Sequence, residues 1–334
     1  MPTRLNRRDF LKVLAAGAGG LALQHFLSAC GIQPRPSPSP TATSEARSET
    51  QAVETVLPTA TPAPRPDLVI VRGGEPEEMI RQAMEAFGGM QTFVPAGARV
   101  VIKPNICSAS RPEYAATTNP WLVGALVRLC LEAGAGEVTV MDLPIRGSGE
   151  AAYATSGIRE QVEAAGGRME VMNSLGFQPV AIPDGHRLRA ANVYQPALQA
   201  DVLINVPIAK DHSTTRLTLG MKNLMGLVPD RDRGSMHRTD IHQTIADLAS
   251  LIRPQLTVVD AIRILTAGGP VNHDLSAVEK RDAILVSPDM VAADSWATSL
   301  FGLTPDDIDY IRLAAEMGLG RKDWQALRVE EIVL

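Results

Sequence analysis

Residues 208–238, IAKDHSTTRLTLGMKNLMGLVPDRDRGSMHR, set six Lys/Arg and two His against three Asp in a chain of formal net charge −5. A basic stretch in an acidic protein suits an anionic ligand, a phosphate or a carboxylate. Arg gives such a ligand paired contacts and Lys a point charge. Lys210 and Lys222 lie within this stretch, and Lys103 joins them if the strand that it ends is a neighbour. Crowded, partly buried lysines repel one another's charge, which depresses at least one pKa and makes a general base or a Schiff-base former. His212 is the natural proton-transfer partner at neutral pH. Lys210, His212 and Lys222 are therefore the expected catalytic residues. Lys103, Asn223, Arg231, Arg233 and His237 are expected to hold the ligand. A metal ion is the competing chemistry, with His212, His237 and Asp142 as its ligands, although no compact ligand spacing is present.

Several other chemistries lack their residues. Gly134-Ala135-Gly136 follows a helix and precedes a strand, the reverse of a dinucleotide fingerprint. Gly268-Gly269-Pro270 reads as a turn or an anion-binding nest. There is no Gly-x-Ser-x-Gly elbow, and without Cys-x-x-Cys no iron–sulfur cluster is expected. Cys130 falls in an apolar helical pattern, with a disulfide to Cys107 as the alternative. His186, His242 and His273 read as surface or capping residues.

These side chains need a scaffold. Strands are expected at 68–71, 99–102, 137–141, 169–172, 202–206, 256–259 and 283–286, and helices at 75–87, 120–133, 158–165, 215–225, 241–252, 290–301 and 305–317. Strands that are apolar at consecutive positions are buried on both faces. The alternation thus predicts an α/β fold, a doubly wound, mostly parallel sheet with helices on both faces. Ligands bind outside the carboxyl ends of such strands. Four strands end there in polar residues: Lys103-Pro104-Asn105, Asp142, Lys210-Asp211-His212 and Asp260. Residues 175–199, rich in Pro, Gly and polar residues, suit an inserted hairpin. In 208–238, Leu217, Met221, Leu224, Met225 and Val228 make a helical stripe, and residues 229–235 read as a polar loop or mobile lid.

The N-terminus predicts a location. Asn6-Arg7-Arg8-Asp9-Phe10-Leu11-Lys12 has the form of a twin-arginine export signal, and Leu27-Ser28-Ala29-Cys30 that of a lipobox with Cys30 lipidated. Residues 1–29 are accordingly read as a lipoprotein signal peptide and 30–66 as a disordered Pro/Ser/Thr-rich tether. Residues 67–334 form the α/β body. Removing 1–29 leaves 28 basic residues against 36 acidic. That balance, with 4% aromatic residues, argues against nucleic acid as a partner. The expected partners are a small anionic ligand and, through the N-terminal lipid, a membrane.

Lys103-Pro104-Asn105, Thr117-Thr118-Asn119-Pro120, Asn205-Val206-Pro207 with Lys210 and His212, Leu217-Thr218-x-x-Met221-Lys222-Asn223-x-x-Gly226, His237, Asp260 with Gly268-Gly269-Pro270, and Ser287-Pro288-Asp289-Met290-Val291-Ala292-Ala293-Asp294 occur in that order. Together they resemble the domain of unknown function 362 family across about residues 67–300. The resemblance adds Thr118 to the expected ligand-binding residues, which include Asn105 and Asp260 from the strand ends. Two departures stand out: Asp211 occupies a position where Thr is commoner, and the ferredoxin-like cysteines of many relatives are missing. The expectation is an exported, lipid-anchored enzyme using Lys/His acid–base chemistry on a small anionic substrate. The rival is a non-catalytic lipoprotein that binds an anionic solute or cofactor for a membrane partner, which would be a redox complex in one version. Lys210 and His212 buried at a cleft floor would favour catalysis, and exposed rim charge would favour capture.

Overall fold

The computed structural model describes residues 65–145 and 147–334, which belong to one compact unit, 61–334. The expected signal peptide, nearly all of the expected tether and Cys30 lie outside the described residues. Among the described residues twelve strands occur: β1 (Leu68–Arg72), β2 (Arg99–Pro104), β3 (Glu137–Val140), β4 (Arg168–Met169), β5 (Phe177–Ala181), β6 (Ala190–Tyr194), β7 (Val202–Val206), β8 (Ile208–His212), β9 (Arg216–Thr218), β10 (Leu256–Leu265), β11 (Val278–Ser287) and β12 (Val329–Val333). The main sheet has the order β12-β1-β11-β10-β7-β2-β3-β4, with β8 paired to β10 and β9. Along that order only β11 runs against its neighbours. This is the mostly parallel α/β sheet that the sequence predicts. β5 and β6 form the separate hairpin expected within 175–199.

Consecutive strand residues feed two different cores. Val100 and Ile102 pack with Met79 and Ile80 of helix α1 (Pro76–Ala86) and with Leu122 and Leu126 of α2 (Pro120–Glu132). The short helices α3 (Gly149–Thr155) and α4 (Ile158–Ala164) add Tyr153 and Val162 to that core. Val101 turns the other way, into a core with Ala197 of α5 (Gln195–Leu198) and Met221 of α6 (Gly220–Asn223). Helices α7 (Asp230–Thr239), α8 (Ile241–Leu251), α9 (Met290–Thr298) and α10 (Asp309–Glu316) complete this second layer. Caps set where the long helices begin. Asn119 accepts from the amides of Trp121 and Leu122 with Pro120 in the first turn, and Asp240 accepts from Gln243. No described helix is long and apolar enough to cross a membrane.

Three expectations need correction. The predicted helix 215–225 is an antiparallel return strand, β9, followed by a single turn, α6, and a 3₁₀ turn, Leu224–Leu227. Its apolar spacing is real and its residues are buried, but the extended backbone at Leu219 breaks the helix before Gly220. The predicted loop at 229–235 is the start of α7: Pro229 precedes it, and Asp230 and Asp232 sit in its first turn, where the helix dipole favours acid. Finally, Cys107 and Cys130 are both free and buried, so the alternative of a disulfide fails. Cys130 is a core thiol whose pKa burial pushes up to about 12.

Candidate functional site

β2 and β7 lie side by side, yet the chain leaves them in opposite directions, to β3 and to β10. At such a switch point the two connections diverge and open a crevice at the carboxyl edge. A cavity of about 110 Å³ lies there, lined among others by Lys103, Asn105, Asp142, Lys210, His212, Lys222, Asn223, Arg233 and His237.

Three buried lysines meet it in different states. Lys103 Nζ donates to Asp142 Oδ1 at 2.6 Å, to Pro104 O at 2.8 Å and to Asn223 Oδ1 at 3.1 Å, so all its protons are used. Burial lowers the Lys103 pKa and Asp142 opposes the fall. Gly226 makes room for this ion pair: a Cβ there would overlap Asp142 Oδ1 and lie 2.6 Å from Lys103 Nζ. Lys210 Nζ is also saturated, by Ala116 O at 2.6 Å, Asn105 Oδ1 at 2.9 Å and Pro270 O at 3.1 Å, with Cys107 Sγ at 3.2 Å. Lys222 is different. Among the described residues its amine finds only Met225 Sδ, at 4.0 Å, a weak acceptor. Burial first, then the charges of Lys210 and Arg233, push its pKa down to about 7.

A chain of amides fixes the floor. Lys210 donates to Asn105 Oδ1, Asn105 Nδ2 to Asn223 Oδ1 at 2.9 Å, Asn223 Nδ2 to Asn205 Oδ1 at 2.9 Å, and Asn205 Nδ2 to Gly220 O at 2.9 Å. An ammonium can only donate, so each amide in turn has one orientation open to it. Behind α6, the Asp294 carboxylate takes the amides of Gly220 and Met221, which holds the turn that carries Lys222. Burial raises the Asp294 pKa to about 7.

The two histidines have complementary tautomers. His212 Nδ1 accepts from the backbone N–H of Thr214 at 3.1 Å and of Thr215 at 3.3 Å, which leaves the proton on Nε2. Burial, then the positive charge of Lys222, drives its pKa down to about 3, so the ring stays neutral. His237 does the opposite: its Nδ1 lies 2.9 Å from Arg233 O and must donate, leaving Nε2 as an acceptor. The ring centroids are 6.3 Å apart. Arg233 closes one wall, with Nη1 on Leu143 O at 2.9 Å and Nη2 on Pro144 O at 3.2 Å and on Asp230.

Eight of the expected residues thus meet: Lys103, Asn105, Lys210, His212, Lys222, Asn223, Arg233 and His237. Three do not. The Thr118 hydroxyl accepts from Asn105 N and donates to Val206 O, bracing β2 against β7 from behind the cavity. Asp260 is buried in β10, accepts from the amides of Asn119 and Ile262, and has its pKa raised to about 6 by burial. Arg231 points to solvent on α7. Among the described residues no group of three or more His, Cys, Asp or Glu side chains is placed to hold a metal ion. Asp142 is taken up by Lys103 and by the Ile106 amide, so it does not join His212 and His237 as a ligand set. Sequence reasoning passed over Cys107 and Thr218, both of which line the cavity. Cys107 lies two residues past Asn105, and Thr218 stands opposite Lys210 across the hairpin, a signal legible only once β8 and β9 are paired.

Fold and site together define an α/β protein with a cationic, lysine-floored cleft at the carboxyl edge of its sheet. The chain belongs to the domain of unknown function (DUF362) family, whose model matches residues 100–299. It is 29% identical over 246 residues to the thylakoid-associated protein sll1697 of Synechocystis sp., a match covering 72% of this chain and 74% of that one. Among solved structures it is similar to the lactate racemase apoprotein from Thermoanaerobacterium thermosaccharolyticum, with a TM-score of 0.43 and 13% identity. That match covers 71% of this chain and 57% of the other, a likeness too slight to bear on chemistry.

Proposed function

We propose that the protein is an enzyme that moves a proton on a small anionic substrate, with the Lys222 amine as acceptor. One observation carries this reading: a buried lysine without an oxygen partner among the described residues, its pKa at about 7, facing a cleft of other cations. At neutral pH about half of such amines carry a free lone pair. The proton leaves the substrate for Lys222 Nζ, which becomes an ammonium. The electron pair stays on the substrate, beside the fixed charges of Lys210 and Arg233 and the Nε2–H of His212. The sequence-based roles shift accordingly. The Lys210 amine is fully engaged by Ala116 O, Asn105 Oδ1 and Pro270 O, and neutral His212 offers a hydrogen bond rather than a base. His237 Nε2, at the mouth, is the second group able to accept a proton.

Incubating the full chain in D2O with small carboxylates and phosphate esters, and reading deuterium incorporation by NMR, tests this. Incorporation should occur and vanish in Lys222→Met. Equal incorporation in that variant, or acetylation of Lys222 titrating near the ordinary 10.5, would overturn it. The rival reading, capture without turnover, draws on the saturation of Lys103 and Lys210, whose amines are held by the protein's own acceptors beside the cavity. Binding with no exchange for any substrate would establish it.

The twin-arginine pattern at Arg7-Arg8 and the lipobox ending at Cys30 support export and lipid anchoring. The relative's thylakoid association agrees with a membrane-held location. Replacing Cys30→Ala should release the protein from the membrane fraction; retention would refute the anchor.

A further inference from the structure

We infer that the anion is a small monocarboxylate, and that Thr218 Oγ1 and Arg233 Nε hold its head. This rests on the reading of the cleft as an anion site and goes on to name the class of ligand. Thr218 and Arg233 are 4% and 6% exposed and both line the cavity. Among the described residues Thr218 Oγ1 and Arg233 Nε are both buried without a hydrogen-bond partner. A folded protein keeps few such atoms, because each has given up water for nothing. Of the seven such atoms among the described residues, these two belong to side chains at one small cavity, beside the weakly bonded amine of Lys222, where a bound acceptor would satisfy them.

Their kind, with the rest of the lining, bears on the choice between anions. Arg233 has turned both terminal nitrogens to the carbonyls of Leu143 and Pro144 and to Asp230, so only its Nε–H is without a partner and no fork is left. Thr218 offers one hydroxyl. With the Lys222 amine and the Nε2–H of His212, they offer donors to the two oxygens of a carboxylate. A phosphate is gripped by clustered backbone amides or helix N-termini, and the first residues of α7, Asp230 and Asp232, are not among those lining the cavity. The rest of the wall agrees: Leu143, Ile145 and Met225 give apolar surface, of use to a short carbon chain and of none to inorganic phosphate. About 110 Å³ gives a short carbon chain room beside that surface.

The test is calorimetric titration of the full chain with propionate and with inorganic phosphate at pH 6.5, beside the deuterium assay. Propionate should bind at least about tenfold more tightly than phosphate. Thr218→Val should weaken propionate by about tenfold, the worth of one hydrogen bond to a charged group. The same variant should raise the melting temperature of the ligand-free protein, since it removes a hydroxyl that is buried for no return. A purely structural threonine would not give these opposed effects. Phosphate binding more tightly, or unchanged propionate affinity in Thr218→Val, overturns the carboxylate subsite even where deuterium exchange persists. Propionate binding that Thr218→Val weakens, with no exchange on any substrate, upholds the subsite and sinks the catalytic reading alone.

Discussion

Lys222→Met is a perturbation whose sign and size follow from the site. Burial sets the Lys222 pKa at about 7 in the folded protein, against an ordinary 10.5. At about 1.4 kcal/mol per factor of ten, keeping this amine charged in the fold costs up to about 5 kcal/mol. Below pH 7 the folded and unfolded chains both hold the proton, and the whole cost is present. Between pH 7 and 10.5 the unfolded chain keeps a proton that the folded one has shed, so stability rises with pH. Methionine is similar in length and bears no such cost. The variant should therefore exceed the parent by several kcal/mol at pH 6, and the two should converge as pH approaches 10.5. Urea unfolding at pH 6, 8 and 10, followed by tryptophan fluorescence, measures the gap; other titrating groups cancel because both proteins share them. A gap that does not change with pH, or a variant less stable at pH 6, would refute the reasoning.

Two further outcomes are expected. Asp142→Asn strands the Lys103 ammonium in the interior and should cost about 3–5 kcal/mol. Adding Lys103→Met should recover most of that loss in denaturant melts, and a double variant no better than the single one would mean that the pair is not coupled. His212 should show a protonated Nε2 and a bare Nδ1 by nitrogen NMR down to pH 5, because its folded pKa of about 3 lies far below 6.5. By the same linkage its contribution to stability should fall as pH drops from 6.5 toward 3; a ring that protonates near pH 6.5 contradicts the burial and the tautomer.

Much of this was legible in the chain. Val100-Val101-Ile102 and Val202-Leu203-Ile204 announce strands covered on both sides, and Lys103 and Asp142 sit at or just past strand ends, where an α/β sheet keeps its ligands; Lys210, expected after the end of β7, instead lies within the further strand β8. What misled was local. Leu217, Met221, Leu224 and Met225 keep helical spacing because a hairpin arm and two short turns bury the same face. Gly234 made α7 look like a loop although Pro229 and two aspartates mark its start. Thr118 and Asp260 carry the family's pattern because they brace backbone, and a motif cannot separate bracing from contact. Which lysine is free could not be read at all: Lys103, Lys210 and Lys222 differ only in how many oxygens surround each, and those oxygens come from residues up to 120 positions away.

The asparagine chain from Lys210 to Gly220 O has one more implication. Every amide in it takes its orientation from its neighbour, so no member can be exchanged without reversing or breaking the rest. The cleft therefore has a part that resists editing and a part that invites it. Leu143, Ile145 and Met225 meet the same cavity and take no part in that chain. Variation in what the protein accepts, in nature or by design, should collect at these apolar positions while the amide floor is inherited whole.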